Sequence, residues 1–147
     1  MTDASATMVE RLRDATNAHD LDALVDCFAE SYRNETPAHP SRGFEGRAQV
    51  RSNWEQIFAA VPDVTARLLR TVGDDTEIWS EWEMSGTRRD GFPHLMRGVI
   101  IFGIDGHRAT WARFFLEPVE SAGQGPSEAV SRIVGGDAAP HRTDANR

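Results

Sequence analysis

Tyr32 and Asn34 stand two residues apart in a stretch, 32 to 36, that reads as extended before Pro37. Residues i and i+2 of an extended segment share a face. A phenol and a carboxamide so placed can point the same way and hold one water or one substrate oxygen. A hydrogen bond within a surface loop is the other use of the same pair. Arg113 is the second candidate. It lies in an alternating run that puts Ala109, Trp111, Arg113, Phe115 and Glu117 on one face and Arg108, Thr110, Ala112, Phe114 and Leu116 on the other. A guanidinium between two aromatic rings, with a carboxylate beyond them, reads in two ways. It is either a cavity floor that binds a carboxylate or enolate oxygen, or an internal ion pair with Glu117 or Glu35. Under the first reading, Arg113→Ala abolishes ligand binding or turnover while the fold survives. His39 is a candidate general base, Glu35 an alternative proton carrier, and His94 a candidate residue at a pocket mouth. Solvent exposure in a loop is the plainer reading of both histidines.

Three helices and four long strands have to position these groups. Met8, Leu12 and Ala15 keep helical spacing within a first helix, residues 3 to 18. Asp20 is an N-cap for a second helix that runs to about residue 30, with Leu21, Leu24, Val25 and Phe28 as its apolar stripe. A loop rich in turn residues leads to a third helix, 47 to 61, with Val50, Trp54, Ile57, Phe58 and Val61 at helical period. After Pro62 the sequence is strand and turn. Residues 64 to 72 alternate moderately. Residues 77 to 87 place Ile78, Ser80, Trp82 and Met84 on a core face, and Trp79, Glu81 and Glu83 on the other. The near-continuous apolar run 99 to 104 suits a strand covered on both faces, and Asp105-Gly106 suits a tight hairpin turn before the alternating run. Trp54, Trp82, Trp111 and Phe115 are read as an aromatic lining for an apolar ligand, with Glu117 at its edge, or else as ordinary core. Residues 121 to 147 lack a sustained period and read as a mostly disordered tail with a helical turn or two around 128 to 134. The folded part is then one domain, residues 1 to 120.

Composition sets the outer limits. The chain has 147 residues, enough for one domain with a sizeable core, and a net charge of −7. That charge, with no basic stripe against it, argues against nucleic acid or an anionic membrane as the main partner. The single cysteine, Cys27, excludes an internal disulfide and reads as a small core residue. The histidines are scattered and no glycine-rich phosphate loop is present, so neither a metal nor another cofactor is expected. No apolar run is long enough to span a bilayer and the start is not a signal peptide, so a cytoplasmic location is expected.

Particular residues carry a resemblance. Residues 17 to 25 (Asn-Ala-His-Asp-Leu-Asp-Ala-Leu-Val) with Phe28-Ala29-Glu30, Gly46-Arg47 opening the third helix, Val61-Pro62-Asp63 closing it and Asp105-Gly106 before the last strand resemble the SnoaL-like, polyketide-cyclase-like branch of the nuclear transport factor 2 superfamily. The resemblance covers residues 5 to 118. It implies an α+β cone, three N-terminal helices packed in a curved antiparallel sheet. It also implies a homodimer through the outer sheet face near Trp79, and a small apolar ligand in an enclosed pocket. The activities it implies are those of a cofactor-free cyclase, isomerase or hydratase/hydrolase, or of a non-catalytic binding module. Tyr32-Arg33-Asn34 resembles the Tyr-x-Asn with which epoxide hydrolases of the limonene type hold a nucleophilic water. The aspartates of that set would fall on Arg113 and near Ser80 and Trp82, so its carboxylates are absent. The ketosteroid-isomerase-like base would fall on Thr36, and its oxyanion-hole Asp and Tyr near Ile100 and Leu12. The inward aspartate of the polyketide cyclases has no counterpart in the hairpin. In the enzyme reading, Tyr32 and Asn34 position a water or carbonyl, Arg113 stabilises negative charge, and His39 or Glu35 moves the proton.

Overall fold

The computed structural model describes residues 4–135, with helices α1 (Ala4–Ala18), α2 (Leu21–Asp26), α3 (Arg47–Ala60) and α4 (Pro126–Val134). The strands are β1 (Phe28–Glu35), β2 (Phe44–Glu45), β3 (Thr65–Gly73), β4 (Glu77–Thr87), β5 (Pro93–Asp105) and β6 (Arg108–Pro118). They form one six-stranded sheet in the order β2-β1-β6-β5-β4-β3. Every pairing is antiparallel except β1 with β6, which is parallel. This is the expected α+β plan. The sheet is antiparallel as expected but for one pair, β1 lying parallel beside the last strand, β6.

The first helix buries Met8, Val9, Leu12 and Ala15 in the core. It ends where the His19 N–H donates to Thr16 O and the Asp20 N–H to Ala15 O, with His19 at φ 55°. That is a Schellman closure with a histidine at the left-handed position. The His19 ring is held there by stacking on Phe58, centroids 4.7 Å apart, and by a 2.8 Å hydrogen bond with Val64 O. Asn17 then fixes the end of α1 to the edge strand β3. Its Nδ2 donates to Ala66 O and its Oδ1 accepts from the Ala66 N–H, at 3.0 and 2.6 Å.

Asp20 caps α2 as expected, accepting from the Ala23 N–H at 3.1 Å. The helix is six residues long, not ten. Phe28 to Glu30 keep the helical spacing, but their backbone is taken by the sheet, Phe28 opposite Ala109 and the Ala109 N–H on Cys27 O. Tertiary pairing here overrides the local pattern. The β5–β6 turn is also corrected in detail. Asp105 pairs with Arg108, so Gly106 and His107 are the central residues, and only Gly106 (φ 70°) is left-handed, the type II′ pattern.

The core lies between the helices and the inner face of the sheet, where Ile78, Ser80, Trp82 and Met84 of β4 are all buried. On β5 the outer face is covered too, and Trp111 supplies part of the cover. Its indole lies across Gly103, where an added Cβ would overlap it. From Ser121 onward the described chain carries α4, whose Val130, Ile133 and Val134 are exposed. The remainder of the expected disordered tail, residues 136 to 147, lies outside the described residues.

Candidate functional site

Between α1, α3 and the inner face of the sheet lies a cavity of about 380 Å³. Its lining is mostly hydrocarbon: Leu12 from α1, Val50, Trp54 and Ile57 from α3, Phe28 and Phe44 from β1 and β2, and Met84, Met96, Ile100, Phe114 and Leu116 from the long strands. Polar groups are few. They are Thr16, Tyr32, Asn34, Thr36, Arg42, Asn53 and His94, with no aspartate or glutamate among the lining residues.

Tyr32 and Asn34 alternate onto the inner face of β1, where only 8% of the Asn34 surface is exposed and the Tyr32 ring is buried. The Tyr32 ring packs edge-on to Phe28 and Phe44, at centroid separations of 4.7 and 6.0 Å. Its hydroxyl donates to Asn34 Oδ1 at 2.7 Å. Burial pushes the Tyr32 phenol far above its ordinary range, so it stays protonated and keeps donating. Asn34 Oδ1 is thereby occupied, and its Nδ2 has no partner among the described residues. A buried amide N–H pair facing an apolar cavity is a hydrogen-bond donor in want of an acceptor. The Thr36 hydroxyl, also buried, likewise has no side-chain partner among the described residues. The Thr16 hydroxyl is already committed, donating to Leu12 O at 2.8 Å. His94 is the one lining histidine. Partial burial, and then the nearby Arg88 charge, lower its pKa, so the imidazole is neutral at neutral pH.

The other residues expected at the site lie elsewhere. Of the two readings of Arg113, the cavity floor is corrected and the ion pair with Glu35 is the one present, on the outer surface and not inside. Its side chain is 48% exposed and pairs with Glu35 at 3.5 Å. Trp111 and Phe115 share that outer face, Trp111 over Gly103 and Phe115 opposite Val99. The face of β6 that meets the cavity is the uncharged one, Ala112, Phe114 and Leu116. A bulge also intervenes. Gly103 pairs with Trp111 but Ile104 with Ala109, so the extra residue Thr110 lets Ala109 and Ala112 both turn inward. Trp82 does face inward, but it is wholly buried and does not reach the cavity. Its Nε1 donates to Ser80 Oγ at 2.8 Å, and that hydroxyl donates to Ile100 O at 2.7 Å. Glu117 meets His39, with 3.2 Å between Oε2 and Nε2, and neither lines the cavity. Trp54 is in the lining as expected. Trp79 is on the outer face, 49% exposed, its indole donating to Glu77.

Sequence reasoning missed Arg42, Asn53, Phe114 and Leu116. The last two were within reach, because from Ala112 onward their face of the strand carries no charge, and the uncharged face is the one to bury. Cys27 is buried and its thiol pushed up to about 11, which fits an inert core position. Among the described residues, no group of three or more His, Cys, Asp or Glu comes together as a metal site. Nor is any described helix long and apolar enough to cross a membrane.

Comparison with known proteins places the chain among relatives of this geometry. The profile of the SnoaL-like domain matches residues 9–112. No curated protein matches the sequence. Among solved structures, a Mycobacterium tuberculosis protein in complex with estradiol-17beta-hemisuccinate superposes with a TM-score of 0.67 at 18% identity, over 78% of this chain and 94% of that one. A Mycobacterium tuberculosis epoxide hydrolase of the LEH-like type gives 0.64 at 14%, over 75% and 80%. A hypothetical protein with a ketosteroid isomerase-like fold from Catenulispora acidiphila, in complex with trimethylamine, gives 0.60 at 16%, over 72% and 82%. At such identities these similarities establish the fold.

Proposed function

The chain belongs to the SnoaL-like domain family, and on that premise we propose that it binds a small, largely apolar molecule through one oxygen of that molecule, without a cofactor. The observation that carries this reading is the Asn34 carboxamide. It is buried, fixed through its oxygen by Tyr32, and left with an N–H pair that has no partner among the described residues, at a cavity whose lining is mostly hydrocarbon. A ligand carbonyl oxygen there removes the cost of an unsatisfied buried donor, while its hydrocarbon body displaces poorly held water. Related folds holding estradiol-17beta-hemisuccinate and trimethylamine support a cavity open to small organic molecules.

Acid–base catalysis of the isomerase or cyclase type is the second reading, and His94 is what favours it. It is the one lining histidine, and burial and then the Arg88 charge lower its pKa, so at neutral pH the ring is unprotonated and can accept a proton. With no carboxylate in the lining, His94 takes the proton-carrying role first assigned to His39 or Glu35. We also propose that a second copy of the chain covers the outer sheet face. Support comes from exposed Val72, Trp79 and Phe115 on that face, beside the Arg67–Glu83–Arg97 ion network.

The test compares 2-acetylnaphthalene with 2-ethylnaphthalene, two ligands of similar shape that differ by the carbonyl oxygen, by calorimetric titration. The ketone is expected to bind one-to-one and roughly tenfold more tightly, and Asn34→Leu to erase the difference. No saturable binding of either compound, or a preference that survives Asn34→Leu, contradicts the reading.

A further inference from the structure

Arg42 is out of keeping with its surroundings. Most described arginines reach a carboxylate or a backbone carbonyl: Arg11 and Arg108 reach Asp26, Arg67 and Arg97 reach Glu83, Arg113 reaches Glu35, and Arg89 reaches Ala59 O. The side chains of Arg42, Arg70 and Arg132 have no such partner among the described residues, and of these three only Arg42 lines the cavity. It is exposed as well as lining, so it sits where the cavity meets solvent. Its position is set by backbone and not by chance. The turn Pro40–Arg42 is closed by the Arg42 N–H on His39 O at 2.9 Å and the Gly43 N–H on Pro40 O at 3.1 Å. The turn is tied back by the His39 N–H on Thr36 O at 2.7 Å and by the pair of His39 with Glu117.

The electrostatic consequence follows from the whole lining. In a chain of net charge −7, the cavity wall carries no carboxylate, a neutral His94 and one guanidinium. Its formal charge is therefore positive, opposite in sign to that of the chain. Low-dielectric walls concentrate such a field on whatever enters. A neutral apolar ligand would leave the guanidinium unused, and a cation would meet like charge at the opening. A carboxylate would form charge-assisted hydrogen bonds with it.

We propose that the molecule this cavity takes is an organic anion, an apolar ring body bearing a carboxylate that Arg42 pairs at the opening. This deepens the binding reading above and rests on it. The carbonyl goes inward to Asn34, the ring lies along Trp54 and Phe114, and the charge stays at the solvent side. Arg42 is then the residue that selects acids over their esters.

The test uses 6-acetyl-2-naphthoate and its methyl ester, which differ in charge and little in shape, titrated into the full-length protein at low and moderate salt. The acid is expected to bind roughly fivefold or more tightly than the ester, with the gap narrowing as salt rises. Arg42→Gln should close the gap by weakening the acid and leaving the ester unchanged. Arg70→Gln, which removes an equally unpaired arginine outside the cavity lining, should leave the gap intact. Equal binding of acid and ester to the unaltered protein, or a gap that survives Arg42→Gln or closes in Arg70→Gln, overturns this proposal and leaves the cavity reading standing. Failure of both compounds to bind overturns the two together.

Discussion

Tyr32 and Asn34 are joined by a buried hydrogen bond, the Tyr32 hydroxyl donating to Asn34 Oδ1 in the cavity lining. In the proposed site the Asn34 amide hydrogens are what a ligand oxygen meets. Tyr32→Phe should therefore weaken ketone binding as well as stability, the latter by about 1–3 kcal/mol, because Asn34 Oδ1 is left without its donor. Chemical denaturation and ligand titration of the same variant measure the two effects. Arg113→Ala should do neither. Its pair with Glu35 is solvent-exposed, such pairs contribute at most about 1 kcal/mol, and ligand binding should be unchanged. His94 has a signature in pH. Its pKa in the folded protein lies below its ordinary 6.5, from burial and then Arg88, so folding favours the neutral ring. Its stabilising contribution is present above 6.5 and is lost as pH falls through the lower folded value. Denaturation midpoints across pH 7 to 4 should fall less steeply for His94→Gln, and parallel curves would refute that assignment. At this scale the sequence was legible in part. Tyr32-x-Asn34 and Trp54 were found by spacing. Arg42 was not, because an exposed arginine in a Pro-Ser-Arg turn gives no periodic signal.

The strands show why the remainder was misread. Alternation along β6 separates its two faces correctly from Trp111 onward, but absence of charge, not aromatic bulk, marks the face that meets the cavity. Trp111 and Phe115 have another use. β5 is apolar on both faces, and Trp111 covers its outer side at Gly103. The bulge at Thr110 then turns Ala109 inward, a parity change that no pattern of period two can reveal. Two glycines of β5 test this packing. At Gly98 the backbone is left-handed (φ 152°) and an added Cβ would overlap the Phe115 carbonyl, whereas at Gly103 it would overlap the Trp111 indole. Backbone cannot give way as a half-buried ring can. Gly98→Ala should thus cost about 2 kcal/mol or more and exceed Gly103→Ala in urea denaturation. Inside the sheet, Ser80→Ala should cost about 1–3 kcal/mol by orphaning the buried Trp82 N–H. α2 carries the same lesson on the helical side. Phe28 satisfies the helical stripe of Leu21, Leu24 and Val25, yet the free edge of β6 claims its backbone.

Over the whole molecule, the order of the helices and the four long strands after them could be read from periodicity, capping residues and turn residues, because these follow from local rules. The parallel β1–β6 pair could not, since it joins residues about eighty apart in sequence whose pairing no local rule dictates. The assembled sheet presents an apolar surface on each side, an inner one lining a cavity that opens to solvent beside Arg42 and an exposed outer one. If the outer face joins two copies, Trp79→Glu should convert a dimer to a monomer in native mass spectrometry without loss of the fold. A chain that is monomeric before substitution contradicts that proposal and leaves the cavity untouched. The central claim is that the cavity, not the outer face, is where small molecules bind, with Asn34 as the polar anchor. The four tryptophans report on it from known places, Trp54 in the cavity wall, Trp82 in the core, and Trp79 and Trp111 on the outer face. The most direct measurement is the proton–nitrogen correlation spectrum of the labelled protein through a titration with 2-acetylnaphthalene. The Asn34 side-chain amide and the Trp54 indole should move together and saturate, while the Trp79 and Trp111 indoles hold still. Shifts at Trp79 or Trp111 with Asn34 and Trp54 unmoved would contradict the account.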